Sequence, residues 1–222
     1  MEYDDLGEDE DTSTTKVTVR VPLGTRLALT SGLERHQAWT RQLTAHHRAQ
    51  LKGLTPPQKD TLRAEQRHAL RVLRSHGRLL DKRDLLFAFG VRQELQARGW
   101  DRSWTGVDWE EIPMGLLPRA IGNSYPESLS LYLSAALVEL VHAGCWTSSQ
   151  ESIRRLRQWH ADCAAAVLPS RAEPQGGATA EYKRLAAGVT TTGEVYRAGI
   201  RRGLHAALHT PTPPPIKALA PR

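Results

Sequence analysis

Lys59, Arg63, Arg67, Arg71, Arg74 and Arg78 recur at steps of four and three residues. On a helix that spacing lines six cations along one ridge, and such a ridge can track phosphates and release their condensed counterions. Leu62, Ala69, Leu73 and Leu80 fall on a different face, so the same helix can pack and still present its charge. Asp60 and Glu65 alone interrupt it. The competing reading is an ordinary solvated arginine face. Smaller clusters at Arg154, Arg155 and Arg157, and at Arg197, Arg201 and Arg202, either extend this surface or sit elsewhere.

Metal chemistry is suggested by "HAGC" and "HADC", which place His142, Cys145, His160 and Cys163 in two pairs of N and S ligands. The elements argue against it. Ser148 and Glu151 form a capping box that opens a helix near Ser149, which puts His160 and Cys163 roughly 16 to 21 Å along its axis while His142 and Cys145 sit at its start. Ile153, Leu156, His160, Cys163 and Val167 make one apolar stripe, so His160 and Cys163 are expected in the core and no metal site is assigned. Trp100, Trp104 and Trp109 lie beside Asp108, Glu110 and Glu111. Indoles can stack on bases and grouped carboxylates can hold a cation, but an ordered loop pinned by its tryptophans is the favoured reading. Gly199 and Gly203 have the spacing that lets helices approach closely, and Arg201 and Arg202 between them exclude the membrane form of that motif. There is no phosphate loop, dinucleotide fingerprint, HExxH or GxSxG elbow. No catalytic residue and no cofactor are implied.

The elements that must position these residues are mostly helical. "KVTVRV" alternates cleanly, with Val17, Val19 and Val21 on one face and Lys16, Thr18 and Arg20 on the other, before Pro22 and Gly24 close it. A strand cannot satisfy its own backbone, so this one needs a later strand, a second copy of the chain or another molecule. A helix over 25–52 follows, interrupted near Ser31 and Gly32, with Leu29, Leu33, Trp39 and Leu43 as core positions. Thr55, Pro56 and Gly77 mark the start and stop of the basic helix. A third runs from Asp81 to Arg98, burying Leu85, Phe89 and Leu95 and stopping at Gly99. The segment 118–142, containing "SLSLYLSAALVELV", is expected as the most apolar helix, and a further helix ends near Leu168.

The 222 residues carry 40% hydrophobic content, enough for a real core. No apolar run reaches the roughly 20 residues that span a bilayer, and two cysteines are too few for a disulfide framework. A cytoplasmic protein with no membrane partner is expected. Residues 1–15 hold seven acids and no Lys or Arg, which leaves 30 cations against 17 acids, a formal +13, over residues 16–222. A body that basic attracts polyanions. The acidic segment either competes for the basic surface or simply solubilises the chain.

"KVTVRVP" resembles the opening of ribbon-helix-helix DNA-binding proteins. That likeness implies that Lys16, Thr18 and Arg20 read bases while Val17, Val19 and Val21 enter a dimer core. A strand ending in proline, a long helix, a basic helical region and "VDWEEIPMGLLPRAI" resemble the N-terminal half of transposon-encoded RNA-guided nucleases and their type V CRISPR relatives. This second likeness implies a wedge and helical lobe that grip nucleic acid, here without the nuclease domain.

The expectation is a mainly α, multi-helix bundle with one N-terminal β-strand and disordered tails. Its parts are an acidic tail (1–15), a strand plus helical domain (16–168), a linker (169–180), C-terminal helices (181–208) and a Pro-rich tail (209–222). The expected function is non-catalytic binding of DNA or RNA. Lys59, Arg63, Arg67, Arg71 and Arg74 are the main contacts, and Lys16, Thr18 and Arg20 the secondary ones. The rival is a helical adaptor whose strand and charged surface meet an acidic protein partner.

Overall fold

The computed structural model describes residues 13–105, 107, 125–166 and 176–209. In chain order its elements are β1 (Thr14–Val21), α1 (Thr25–Gln50), α2 (Pro56–Ser75), α3 (Arg83–Arg98), β2 (Glu127–Ser134), α4 (Ala135–Ala166), α5 (Gly176–Ala187) and α6 (Thr192–His209). The chain is mainly helical with one two-stranded sheet. Most of the acidic segment, the Pro-rich end, Trp109 with its neighbouring acids, and all of "VDWEEIPMGLLPRAI" except Val107 lie outside the described residues.

The strand that needed a partner finds it in the same chain. β1 pairs antiparallel with β2, with Val19 opposite Leu129, Val17 opposite Leu131 and Arg20 opposite Ser128. The expectation of one continuous helix over 118–142 is therefore corrected at Glu127–Ser134. "SLSLYLS" alternates leucine with serine and tyrosine, and that period of two serves a sheet with one buried face. Val19, Val21, Leu129, Leu131 and Leu133 are all buried. The ribbon-helix-helix likeness placed the valines in a dimer core, whereas Val19 and Val21 enter the chain's own core.

That core is built on α3 and α6. Three glycines hold their seam: a Cβ on Gly203 would stand 2.5 Å from the Leu86 carbonyl, one on Gly199 would stand 2.8 Å from Val91, and one on Gly90 would run into the Gly199 carbonyl. The Gly199/Gly203 spacing thus serves helix packing within the chain. Because α3 turns this face to α6, its fully buried apolar side chains are Leu86, Phe87, Val91 and Leu95. Leu85 and Phe89, expected in the core, are half-buried. Glu94, only 6% exposed, ties the seam together by accepting from Arg98 Nε at 2.7 Å and Arg202 Nε at 2.6 Å. Burial raises its pKa, but the two guanidinium groups outweigh that and hold the carboxyl below its usual range.

Two further expectations change. α1 is continuous through Ser31 and Gly32, because Gly32 lets α1 approach Ala207 of α6 to within 3.2 Å of where its own Cβ would sit. α4 is one helix of 32 residues, so the capping box at Ser148 and Glu151 does not open a helix. Ser148 Oγ instead donates back to the Cys145 carbonyl at 3.2 Å, a bond compatible with a helix interior. α5 begins at Gly176, inside the stretch expected as a linker. α6 starts at a reciprocal cap, where Thr191 N donates to Glu194 Oε2 at 2.9 Å and Glu194 N donates to Thr191 Oγ1 at 3.3 Å.

Candidate nucleic-acid interface

α1 and α2 form an antiparallel helical hairpin that turns at Gly53, whose φ of +80° suits glycine. Trp39 and Leu43 of α1 pack with Leu79 and with the half-buried Leu70 and Leu73 of α2. Nearer the tip, Gln66 Nε2 lies 3.5 Å from Gln50 Oε1. The start of α2 is set locally, since Gln58 Oε1 accepts from the Thr55 N–H at 3.0 Å ahead of Pro56. Leu62, Gln66, Leu70 and Leu73 are half-buried, and no residue of α2 is fully buried.

The ridge runs along the border of that packing face. Arg63, Arg67, Arg71 and Arg78 are exposed, while Lys59 and Arg74 are half-buried. Arg63 pairs with Asp60 at 3.1 Å in an exposed bridge, an interaction of little energetic weight. Residues 25–78 carry eleven Lys and Arg against three Asp and Glu, a formal +8 on this hairpin.

Arg74 has a different duty. Its guanidinium grips Asp81 with two bonds, Nε to Oδ1 at 3.2 Å and Nη2 to Oδ2 at 2.9 Å, and Thr40 Oγ1 donates to the same carboxylate at 3.1 Å. Asp81 is buried. This node fastens the base of the hairpin to the chain entering α3. Beside it, His36 is 1% exposed, with Nε2 3.2 Å from the Ala207 carbonyl and Nδ1 3.4 Å from the Leu80 N–H. The Leu80 contact requires an unprotonated Nδ1, so the ring is neutral and its proton sits on Nε2. Burial pushes the His36 pKa down, helped by Arg35 and opposed by the Ala207 carbonyl and Asp81.

Lys16, Thr18 and Arg20 are exposed on the outward face of the β1–β2 ribbon, opposite Tyr132, Ser130 and Ser128 respectively. Sequence reasoning missed the β2 half of this face, Tyr132, Ser130 and Ser128, and of the three cations brought to the ribbon's edges it missed Arg26 and Arg83 and named Arg197 only in a cluster it did not place. Arg26 Nη2 donates to the Ser128 carbonyl at 2.6 Å, Arg83 donates to the Ser130 carbonyl, and Arg197 Nη1 donates to the Arg20 carbonyl at 3.4 Å. Arg197 also lies over the Tyr125 ring at 4.3 Å. Glu127, at the ribbon's end, accepts from the N–H groups of Gly24 at 2.9 Å and Arg26 at 3.0 Å. The backbone N–H groups of Arg26 and Gly24 hold its carboxyl below its usual range. That carboxylate serves the start of α1, where Gly24 has no capping side chain.

Among the described residues the other constellations do not assemble. His142 and His160 are eighteen residues apart on one helix, about 27 Å along its axis. His160 is exposed, against its expected place in the core, and its ring meets Trp159 and Tyr182 edge-on at 5.1 and 5.9 Å, while the Cys163 side chain lies outside the described residues. Burial pushes the Cys145 thiol up to about 12. Trp100 is buried beneath Gly144 and Trp104 packs on the core, so both indoles pin the chain after α3. Among the described residues no helix is long and apolar enough to cross a membrane. No family model, curated protein or solved structure matches the chain.

Proposed function

We propose that the chain binds nucleic acid through its phosphates, using the α1–α2 hairpin as the principal surface. The observation that supports this most is the dense charge of the hairpin on a helix that buries no side chain fully, leaving Arg63, Arg67 and Arg71 on the outside. Such an array binds polyanions by counterion release and without base specificity. Lys59 and Arg78 extend it at either end. The likeness to the N-terminal half of transposon-encoded RNA-guided nucleases accords with a gripping role.

Fluorescence anisotropy of labelled duplex DNA, single-stranded DNA and RNA tests this from low to physiological salt. Log affinity for duplex DNA is expected to fall linearly with log salt, with a slope of about −0.9 per phosphate neutralised, and R63A/R67A/R71A to lose most of the binding. Absence of binding to all three at low salt, both for the full chain and for a variant starting at Lys16, refutes the reading. An adaptor for an acidic protein is the second reading, favoured by Leu23 and Leu27, which are 79% and 73% exposed beside the ribbon's end. Competition separates the two, since unrelated nucleic acids displace a phosphate-bound ligand and leave a protein partner held through leucines in place.

A further inference from the structure

We infer that the outward face of the β1–β2 ribbon is a groove-reading element and that its ligand is B-form duplex DNA rather than RNA, a claim that rests on the nucleic-acid reading above. One face of the ribbon is closed by the core. The other carries Lys16, Thr18 and Arg20 across from Tyr132, Ser130 and Ser128, a row in which every side chain can donate a hydrogen bond. Tyr132 is 47% exposed on this face, with Ser128 and Ser130 half-buried beside it. The one carboxylate at the ribbon's end, Glu127, is already engaged by backbone N–H groups.

The edges point the same way. Open sheet edges are ordinarily blunted by charge or covered. Here three helices each send an arginine to them: Arg26 from α1 and Arg83 from α3 to β2, and Arg197 from α6 to β1. Each guanidinium donates to one carbonyl, with Arg83 also over the Phe87 ring and Arg197 over the Tyr125 ring, and each retains further N–H donors. Lys16 and Arg20 therefore project from a strip flanked by cations on both sides.

Shape selects the ligand. The major groove of B-form DNA is about 12 Å wide and admits a two-stranded ribbon. The major groove of an A-form RNA duplex is deep and too narrow for side chains to read. In the DNA groove, Arg20 and Lys16 match guanine O6 and N7, the hydroxyls of Thr18, Ser128 and Ser130 match either kind of base edge, and the edge arginines fall towards the flanking phosphates. Since β2 comes from the same chain, one copy completes the ribbon.

The test uses the full chain with a DNA duplex and an RNA duplex of the same sequence, followed by anisotropy at physiological salt. A third duplex is DNA whose major groove is filled by glucosylated 5-hydroxymethylcytosine, which needs no change to the protein. The expected result is at least about tenfold tighter binding to plain DNA than to RNA, the size of one good base-edge contact. Glucosylation abolishes that advantage, and K16A/R20A brings plain DNA down to the affinity of the RNA duplex. R63A/R67A weakens both duplexes alike. Equal binding to plain DNA, glucosylated DNA and RNA overturns the groove-reading inference while the hairpin reading stands. No binding to any duplex at low salt removes both.

Discussion

Replacing Arg67 and Arg74 one at a time by alanine separates two roles within a single ridge. The Arg74 guanidinium is 2.9 Å from Asp81, with side-chain exposures of 25% and 6%. Alanine at 74 leaves a buried carboxylate with the Thr40 hydroxyl as its side-chain partner among the described residues. Removing one member of a buried pair costs about 3 to 5 kcal/mol, and water reaching a quarter of Arg74 places this case near 3. Arg67 is exposed and makes no ion pair among the described residues, so R67A should change stability by less than about 0.5 kcal/mol. In urea, with a slope of about 2 kcal/mol per molar, R74A moves the unfolding midpoint down by about 1.5 M and R67A leaves it in place. On duplex DNA the order reverses. R67A removes about 0.9 from the slope of log affinity against log salt, and R74A, measured where it is folded, keeps the wild-type slope. An R74A protein as stable as wild type, or an R67A protein equally destabilised, refutes the division.

G90A tests the α3–α6 seam: alanine gains about 1 kcal/mol of helix propensity over glycine, but its Cβ meets the Gly199 carbonyl and the Gly203 backbone, which cannot rotate away. Net destabilisation of about 1 to 3 kcal/mol is expected by urea unfolding, and a gain in stability would show that the helices do not meet there. Y196F removes a buried hydroxyl that has no hydrogen-bond partner among the described residues, so thermal melting should show unchanged or raised stability, by up to about 1 kcal/mol, and a marked loss would reveal a partner for that hydroxyl. Stability should also depend on pH through His36, His47 and His142, all lowered chiefly by burial. The unfolded chain takes up these protons first, so stability is full above the ordinary value of 6.5 and falls as pH drops from there towards the depressed folded values. H36Q should flatten part of that decline in urea midpoints measured between pH 7 and 5, and an unchanged pH profile would place the His36 ring in water.

The first three helices were legible because their signals are local. Thr55, Pro56, Gly77 and Gly99 act within a few residues of the ends they mark, and Leu29, Trp39 and Leu43 recur at helical spacing and are buried. β2 was not legible for an equally physical reason. Leu129, Leu131 and Leu133 alternate, but Leu133, Leu137 and Val141 continue at helical spacing with no breaker between the two patterns. Only the unmet backbone of β1, about a hundred residues earlier, decides that the first half pairs as a strand. The ribbon's edge arginines share that non-local origin, since Arg26, Arg83 and Arg197 have no common spacing and meet only because three helices pack on one sheet.

The ridge itself shows where periodicity stops being informative. Spacing assigned Arg67 and Arg74 to the same row, and both do lie on it. Asp81 is seven residues beyond Arg74, outside the i,i+4 rule for a continuous helix, and reaches it because the chain reverses at Gly77, whose φ is +66°. Charge spacing therefore locates a basic ridge, while the turn at its end determines which of its cations are already committed to the fold.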